Sequence, residues 1–426
     1  MRDKAYLIFI IIFVPFSLKF FDASFINATI LNYSFILFIW ISIFLSIPHF
    51  LKSKSTFALP IYLIFFSILG SIIMAYYSWD QSFFYSLIET SQYMIWPLFF
   101  FMRYHEVSLK SLEKIILFYG LAYALLFFFQ YLNQGVVLFG RPLYGDEWTE
   151  DRGVIRIIFP GAGIFILALF ISITKLTTTT THRWFWIGFS LLGIIIPVMQ
   201  VTRQFIAGVL LIYLFHLVRS VSLPKKVVII SLFIIGVGLA INAEIPMVEG
   251  VIEAQERDSS LGKDYIRVLA GEYFLNDYSP NDYSAVFGNG APYWGISNYG
   301  KFNSKLADER GFYLSDVGII AVYAMFGIFA IIGFVIIWGK SFIIPLPPQY
   351  QYAKYYLWYL LFTSFTWYSV YHYHYLISTV FALYVFQKGI DVSKRKIIIK
   401  DILKRLVSDS HDSKKEDFMK GIPSKD

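Results

Sequence analysis

Residues Ser315 to Trp338 read SDVGIIAVYAMFGIFAIIGFVIIW, and after Asp316 no charged side chain appears before Lys340. A helix crossing a hydrocarbon core roughly 30 Å thick needs about 20 such residues, and lipid offers no partner to an exposed peptide group. Working outward, comparable apolar runs occupy residues 5–20, 31–48, 57–77, 83–102, 114–132, 155–174, 184–201, 204–218, 227–243, 353–368 and 371–387. The pattern predicts an all-α polytopic bundle of about twelve transmembrane helices. It divides into nine helices within residues 1–243, a partly helical extracytoplasmic loop over 244–314, three helices within 315–387 and a basic cytoplasmic tail over 388–426.

Composition agrees with that division. Of the 426 residues, 57% are hydrophobic and 15% charged, against roughly a quarter charged in a soluble domain. The net charge of +7 would suggest nucleic acid in a soluble protein. Here the basic residues sit in short connections on alternate sides, among them Lys52 and Lys54, Arg103 and Lys110, Lys175 and Arg183, Lys340 and Lys354. The positive-inside rule explains them and puts both termini in the cytoplasm, with the lipid bilayer as partner and no nucleic acid. Arg2 and Lys4 precede an apolar stretch as in a secretory signal, but no small-residue cleavage site follows, so a retained first span is expected. With no cysteine there is no disulfide, thiolate nucleophile or cysteine-ligated metal.

The run 353–387 has no obvious break, yet as one helix it would extend about 50 Å, well beyond the bilayer core. A tight hairpin near Tyr371 to Tyr375 resolves this and returns the tail to the cytoplasm. Residues 391–407, with apolar positions among Lys and Arg, read as an interfacial amphipathic helix. Residues 408–426 read as disordered.

Three segments lie outside on this topology: 133–154, the turn 201–205, and the loop 244–314. Within the last, residues 249–275 show helical periodicity through Val251, Ile252, Tyr265, Ile266, Leu269 and Phe274. Most charges of that segment read as a solvated face, Arg267 excepted. Phe287-Gly288-Asn289-Gly290 can turn successive backbone N–H groups toward an anion, or be a plain turn. Tyr293 and Trp294 can stack on sugar faces or anchor the loop at headgroup level.

Arginines at the outer boundary are the sharper signal: Arg152, Arg156, Arg203 and Arg310. The guanidinium is a permanently charged fork that matches phosphate oxygens, so several around one cavity can hold a pyrophosphate; snorkelling or a structural ion pair is the alternative. Candidate proton acceptors are Asp308, Glu309, Asp316, His372 and His374, with helix capping the plainer role for Asp316. Glu89 lies inside the fourth predicted span and must face protein or water. No Walker loop, dinucleotide fingerprint, HExxH or nucleophile elbow is present, so no cofactor or metal is expected.

The arrangement resembles the O-antigen polymerase (Wzy) family, within the O-antigen ligase and polymerase superfamily of membrane glycosyltransferases. The resemblance rests on Val201-Thr202-Arg203-Gln204-Phe205 opening a span, on the Gly-Asn-Gly turn late in the largest outer loop, and on Leu314-Ser315-Asp316-Val317-Gly318 leading into Tyr323-Ala324-Met325-Phe326-Gly327. It also includes the loop's position between the ninth and tenth spans, and the spacing of Arg152 and Gly163. It implies transfer between undecaprenyl-diphosphate-linked glycans at the outer face of the bacterial cytoplasmic membrane, alongside a repeat-unit flippase and a chain-length regulator. Arg203, Arg156 and Arg267 would then stabilise the departing diphosphate, and Asp316, Glu309 or His372 would take the acceptor's proton. Arg152, Arg310, residues Gly288 to Gly290, Tyr293 and Trp294 would bind substrate. The superfamily's ligases resemble one another in a histidine of the large loop, and residues 244–314 contain none, which favours polymerase over ligase. Ligase-type glycan transfer stays open as an alternative, and so does a lipid-linked oligosaccharide flippase or transporter. The latter would show charges deep in several spans and interrupted helices.

Overall fold

The computed structural model describes residues 2–50, 54–133, 135–142, 150–151, 154–219 and 259–420, with a few positions between 220 and 258. Six helices are long and apolar enough to cross a membrane: Ala5–Asp22, Ala28–Phe50, Ala58–Trp79, Leu109–Leu132, Ile319–Ile343 and Tyr373–Lys396. Shorter helices Ala162–Thr178, Arg183–Met199, Arg203–Arg219 and Gln351–Thr363 pack among them. The described strands are two residues each and form two antiparallel pairs, Arg141–Pro142 with Ile157–Ile158 and Glu150–Asp151 with Val154–Ile155. The chain is thus an all-α membrane protein. The predicted span 227–243 lies almost wholly outside the described residues.

Helix Ala162–Thr178 is the centre of the bundle. It is apolar on every face, and every residue from Ala162 to Thr174 is buried, as a helix without a solvent side requires. Lipid tails are as apolar as leucine, so close packing and small residues hold such helices together. A Cβ on Gly120 would sit 2.5 Å from Ala168 Cβ, and one on Gly163 would sit 2.6 Å from Tyr375 Cα. These glycines let helices Leu109–Leu132 and Tyr373–Lys420 reach the central one.

The two ends of the bundle differ. At one, the loop end, residues 259–318 gather with the turns 80–82, 199–203 and 364–372; Tyr371 Oη donates to Leu314 O at 3.1 Å across it. At the other, the tail end, Lys175 Nζ pairs with Glu113 Oε2 at 2.8 Å and the long C-terminal helix leaves the bundle.

Four expectations change. Residues 83–102 are not one span but two short helices, Phe83–Ser91 and Leu98–Tyr104, because Pro97 holds the preceding residue out of the helical region. Tyr93 to Trp96 between them are buried in protein, which is where non-helical backbone at such depth is tolerated. The span expected from residue 155 begins only at Ala162, since β-branched Val154, Ile155, Ile157 and Ile158 are extended and Pro160 and Gly161 delay the helix. The hairpin exists but opens earlier, with helix Gln351–Thr363 ending before Ser364 and the next starting at Tyr373. Finally, that last helix runs unbroken to Lys420, through residues 408–420 of the stretch expected to be disordered, because neither Gly nor Pro occurs between Asp391 and Lys420; residues 421–426 lie outside the described ones.

Candidate functional site

The loop end is built on two strained turns. Val201, β-branched and buried, adopts φ 49, a backbone region such residues rarely enter. It directs Thr202 and Arg203 into the start of helix Arg203–Arg219. At the end of the first helix Lys19, Phe20, Phe21 and Asp22 all have positive φ. The Arg141 fork holds this left-handed turn, Nε lying 3.2 Å from Asp22 Oδ2 and Nη2 donating to Oδ1 at 3.3 Å. Strain of this kind persists where surrounding structure fixes it and is common at functional sites.

Three of the predicted arginines lie around the first turn, on two cavities. Arg203 and Arg267 line one open cavity of about 350 Å3, with Tyr265 and Thr366. Arg203 Nη1 donates to Gln255 Oε1 at 2.8 Å. Arg156 Nη2 donates to Thr202 Oγ1 at 3.2 Å and lines a small adjoining cavity with Phe205, Tyr368 and His374. His374 is 4% exposed, and its Nε2 has no hydrogen-bond partner among the described residues. An orphaned buried nitrogen is costly unless something else satisfies it.

Asp316 completes this cluster. It lies in a 3-10 turn ahead of the spanning helix, whose N-cap is Gly318 without side-chain bonding, so Asp316 does not cap it. Its Oδ1 instead sits 3.7 Å from Arg267 Nη2. Burial pushes the Asp316 carboxyl above the usual carboxylate range, and Arg267 opposes that shift.

Other predicted residues go elsewhere. Glu309 is on the exposed face of helix Asn298–Arg310, 3.7 Å from Lys305 Nζ, and does not reach the cluster. Arg310 lies over the Tyr273 ring at 5.5 Å. His372 packs edge-on against His374, ring centroids 4.2 Å apart, and of the two it is His374 that lines the Arg156 cavity. Gly288, Asn289 and Gly290 form a turn facing inward. The N–H groups of Asn289 and Gly290 donate to Ala324 O and Met325 O at 2.9 and 2.8 Å, so they are not presented to an anion. Arg152 lies outside the described residues.

Tyr293 and Trp294 line a second cavity of about 440 Å3 with Lys19, Asn32, Glu89 and Gln92. Tyr293 stacks on Tyr85 at 4.6 Å. Glu89 Oε1 accepts from Gln92 Nε2 at 2.7 Å, and Lys19 Nζ lies over the Tyr373 ring at 4.5 Å. Within segment 366–375, Tyr368 and His374 line the Arg156 cavity, and Tyr373 meets Lys19. Sequence reasoning missed Lys19, although a lysine inside an apolar run carries the same signal as Glu89. Among the described residues no group of three His, Asp or Glu is placed to hold a metal ion. No family model matches the chain, and no curated protein matches it.

Proposed function

We propose that the chain is a polysaccharide polymerase, a glycosyltransferase of about twelve membrane helices in the bacterial cytoplasmic membrane, with its loop end outside and both termini in the cytoplasm. The hydroxyl oxygen of one lipid-linked repeat unit attacks the anomeric carbon of the growing chain. The bond from that carbon to the diphosphate oxygen breaks, undecaprenyl diphosphate leaves with the electron pair, and the hydroxyl proton passes to a base. The observation that carries this reading is the placement of three arginines from separate segments around the turn 201–203: Arg203 and Arg267 on one cavity, with Asp316 beside Arg267, and Arg156 on another with the orphaned His374 nitrogen. Guanidinium groups fixed where charge develops on a leaving diphosphate lower the barrier by preorganised electrostatics. Asp316 is the base in this scheme, since its raised affinity for protons suits acceptance. Tyr293 and Trp294 line the Lys19 and Glu89 cavity, where their rings can stack on sugar faces of the substrate. The test is Arg203→Ala in cells: loss of long-chain polysaccharide, with the protein still inserted, is expected, and normal chain length removes Arg203 from the reaction.

One set of observations favours a second reading, a transporter of lipid-linked oligosaccharide. Helical breaks at residues 92–97 and at Gly327, with Lys19 and Glu89 on one cavity, are features of transporters. Deletion of the gene separates the two. Flipped single repeats without polymer mark the transferase, and single repeats trapped on the cytoplasmic side mark the transporter.

A further inference from the structure

The tail end carries a feature that neither reading uses. A cavity of about 490 Å3 opens where helices Ala28–Phe50, Leu98–Tyr104 and Tyr373–Lys420 leave the bundle. Five cationic side chains line it: Lys54, Arg103, Lys388, Lys394 and Arg395. Among the described residues two carboxylates face them, Glu106 and Asp391. Asp391 is already engaged through both oxygens, by Arg103 on one and by Gln387 Nε2 at 3.0 Å on the other. Lys388, Asp391, Val392 and Arg395 recur at helical spacing, so one face of the long last helix forms a wall.

This is more than a solvated basic loop. The charges come from three separate parts of the chain, at residue 54, at 103–106 and at 388–395, and surround a volume within the roughly 300–1,000 Å3 of small-molecule sites. Their excess positive charge calls for an anion. Phe100 and Tyr104 line the same cavity, and Tyr104 is exposed and stacked on His49 at 3.6 Å. Phe44 and Ile47, on the helix that brings His49, are exposed as lipid-facing residues are. A ligand here meets cations at its head and an apolar helix flank beside it.

We infer that this cavity binds the phosphodiester headgroup of an anionic glycerophospholipid from the leaflet at the tail end. Basic pockets between spanning helices recognise such headgroups by charge, with the acyl chains remaining in the bilayer. The lipid neutralises the cluster and fixes where helix Tyr373–Lys420 leaves the membrane. The inference does not depend on the proposed glycosyl transfer.

The experiment uses the full chain purified in neutral detergent, with native mass spectrometry and thermal unfolding read in mixed micelles of phosphatidylglycerol or phosphatidylcholine. Wild type is expected to retain phosphatidylglycerol and unfold at higher temperature with it, while phosphatidylcholine does neither. The double variant Lys394→Gln with Arg395→Gln, at positions exposed enough to fold normally, is expected to bind phosphatidylglycerol roughly tenfold more weakly or worse. Lys110→Gln with Arg183→Gln, basic residues of the same end outside the cavity, should leave binding unchanged. Equal weakening by both double variants reduces the effect to diffuse surface charge and overturns the site. Unchanged binding in the first variant, or equal stabilisation by inorganic phosphate alone, overturns the lipid assignment.

Discussion

The backbones of Gly288 and Gly327 meet: a Cβ built on Gly288 would lie 2.6 Å from the Gly327 amide nitrogen, and one on Gly327 would lie 2.7 Å from that of Gly288. Gly327, at φ 79 and ψ −176, breaks the apolar helix Ile319–Ile343. That break frees carbonyls of the preceding turn in a setting where no water can satisfy them. The turn from the large loop supplies the donors. The N–H groups of Asn289 and Gly290, with Asn289 Nδ2, reach Ala324 O and Met325 O, and Trp79 Nε1 secures Asn289 Oδ1 at 2.9 Å.

Gly288→Ala and Gly327→Ala should therefore each cost about 1–3 kcal/mol, since both positions combine positive φ with backbone contact. Gly339 on the same helix has open space around it, so Gly339→Ala should be neutral or gain up to about 1 kcal/mol of helix propensity. Thermal unfolding in detergent compares the three. Equal behaviour of Gly327→Ala and Gly339→Ala would contradict the packing described.

Gln81 is a second fastening of the loop. Fully buried, it donates from Nε2 to Ser86 Oγ and Ala291 O at 3.0 and 2.9 Å, and accepts at Oε1 from the Tyr293 N–H and Ser297 Oγ at 2.9 and 2.7 Å. Gln81→Ala strands these groups, at about 1–3 kcal/mol for an unsatisfied buried donor. Limited proteolysis should cut the segment 291–297 faster in the variant. Resistance equal to wild type would mean the loop is held by other contacts.

These contacts show what was legible in the sequence and what was not. The spans could be read because lipid imposes a length and excludes charge, and the turn between Gln351–Thr363 and the last helix followed from a run too long for one crossing. The breaks could not. Pro97 sits in an apolar run indistinguishable by hydropathy from a straight span, and the Gly327 break needs a partner some forty residues earlier in the chain. The Gly-Asn-Gly turn was open to reading as an anion nest or a plain turn, because sequence reports which backbone shapes are permitted, and only the fold reports where the N–H groups point. Arg203 was conspicuous because a short turn has little reason to carry a charge. Its juxtaposition with Arg267 and Arg156 depends on three separate segments.

The Arg267 and Asp316 pair predicts a pH effect. Burial raises the Asp316 pKa and Arg267 lowers it, so removing the guanidinium raises it further. If the carboxylate accepts the proton, activity is present above that pKa and lost as pH falls through it. In Arg267→Gln the acid limb of the transfer rate should move to higher pH, and in Asp316→Asn that limb should disappear along with most of the activity. A pH profile of chain extension in isolated membranes measures both. An unmoved acid limb in Arg267→Gln would exclude Asp316 as the titrating group.

Arg203 tests whether a fork or merely a charge is needed. Arg203→Ala should reduce chain extension by on the order of 10²–10³-fold, as loss of one preorganised donor to a developing anion does. Lysine preserves the charge but cannot present two parallel N–H groups. Arg203→Lys should therefore recover only part of the rate. On the proposed polymerase reaction, its defect should appear in the rate at saturating substrate rather than in binding, because in that reaction charge on the leaving diphosphate would grow toward the transition state. Arg203 Nη1 also holds Gln255 Oε1, so Gln255→Ala is the control for a purely structural role. If Gln255→Ala and Arg203→Ala lose extension equally, Arg203 acts by shaping the loop; if Gln255→Ala keeps most of the rate, the guanidinium acts on the substrate itself.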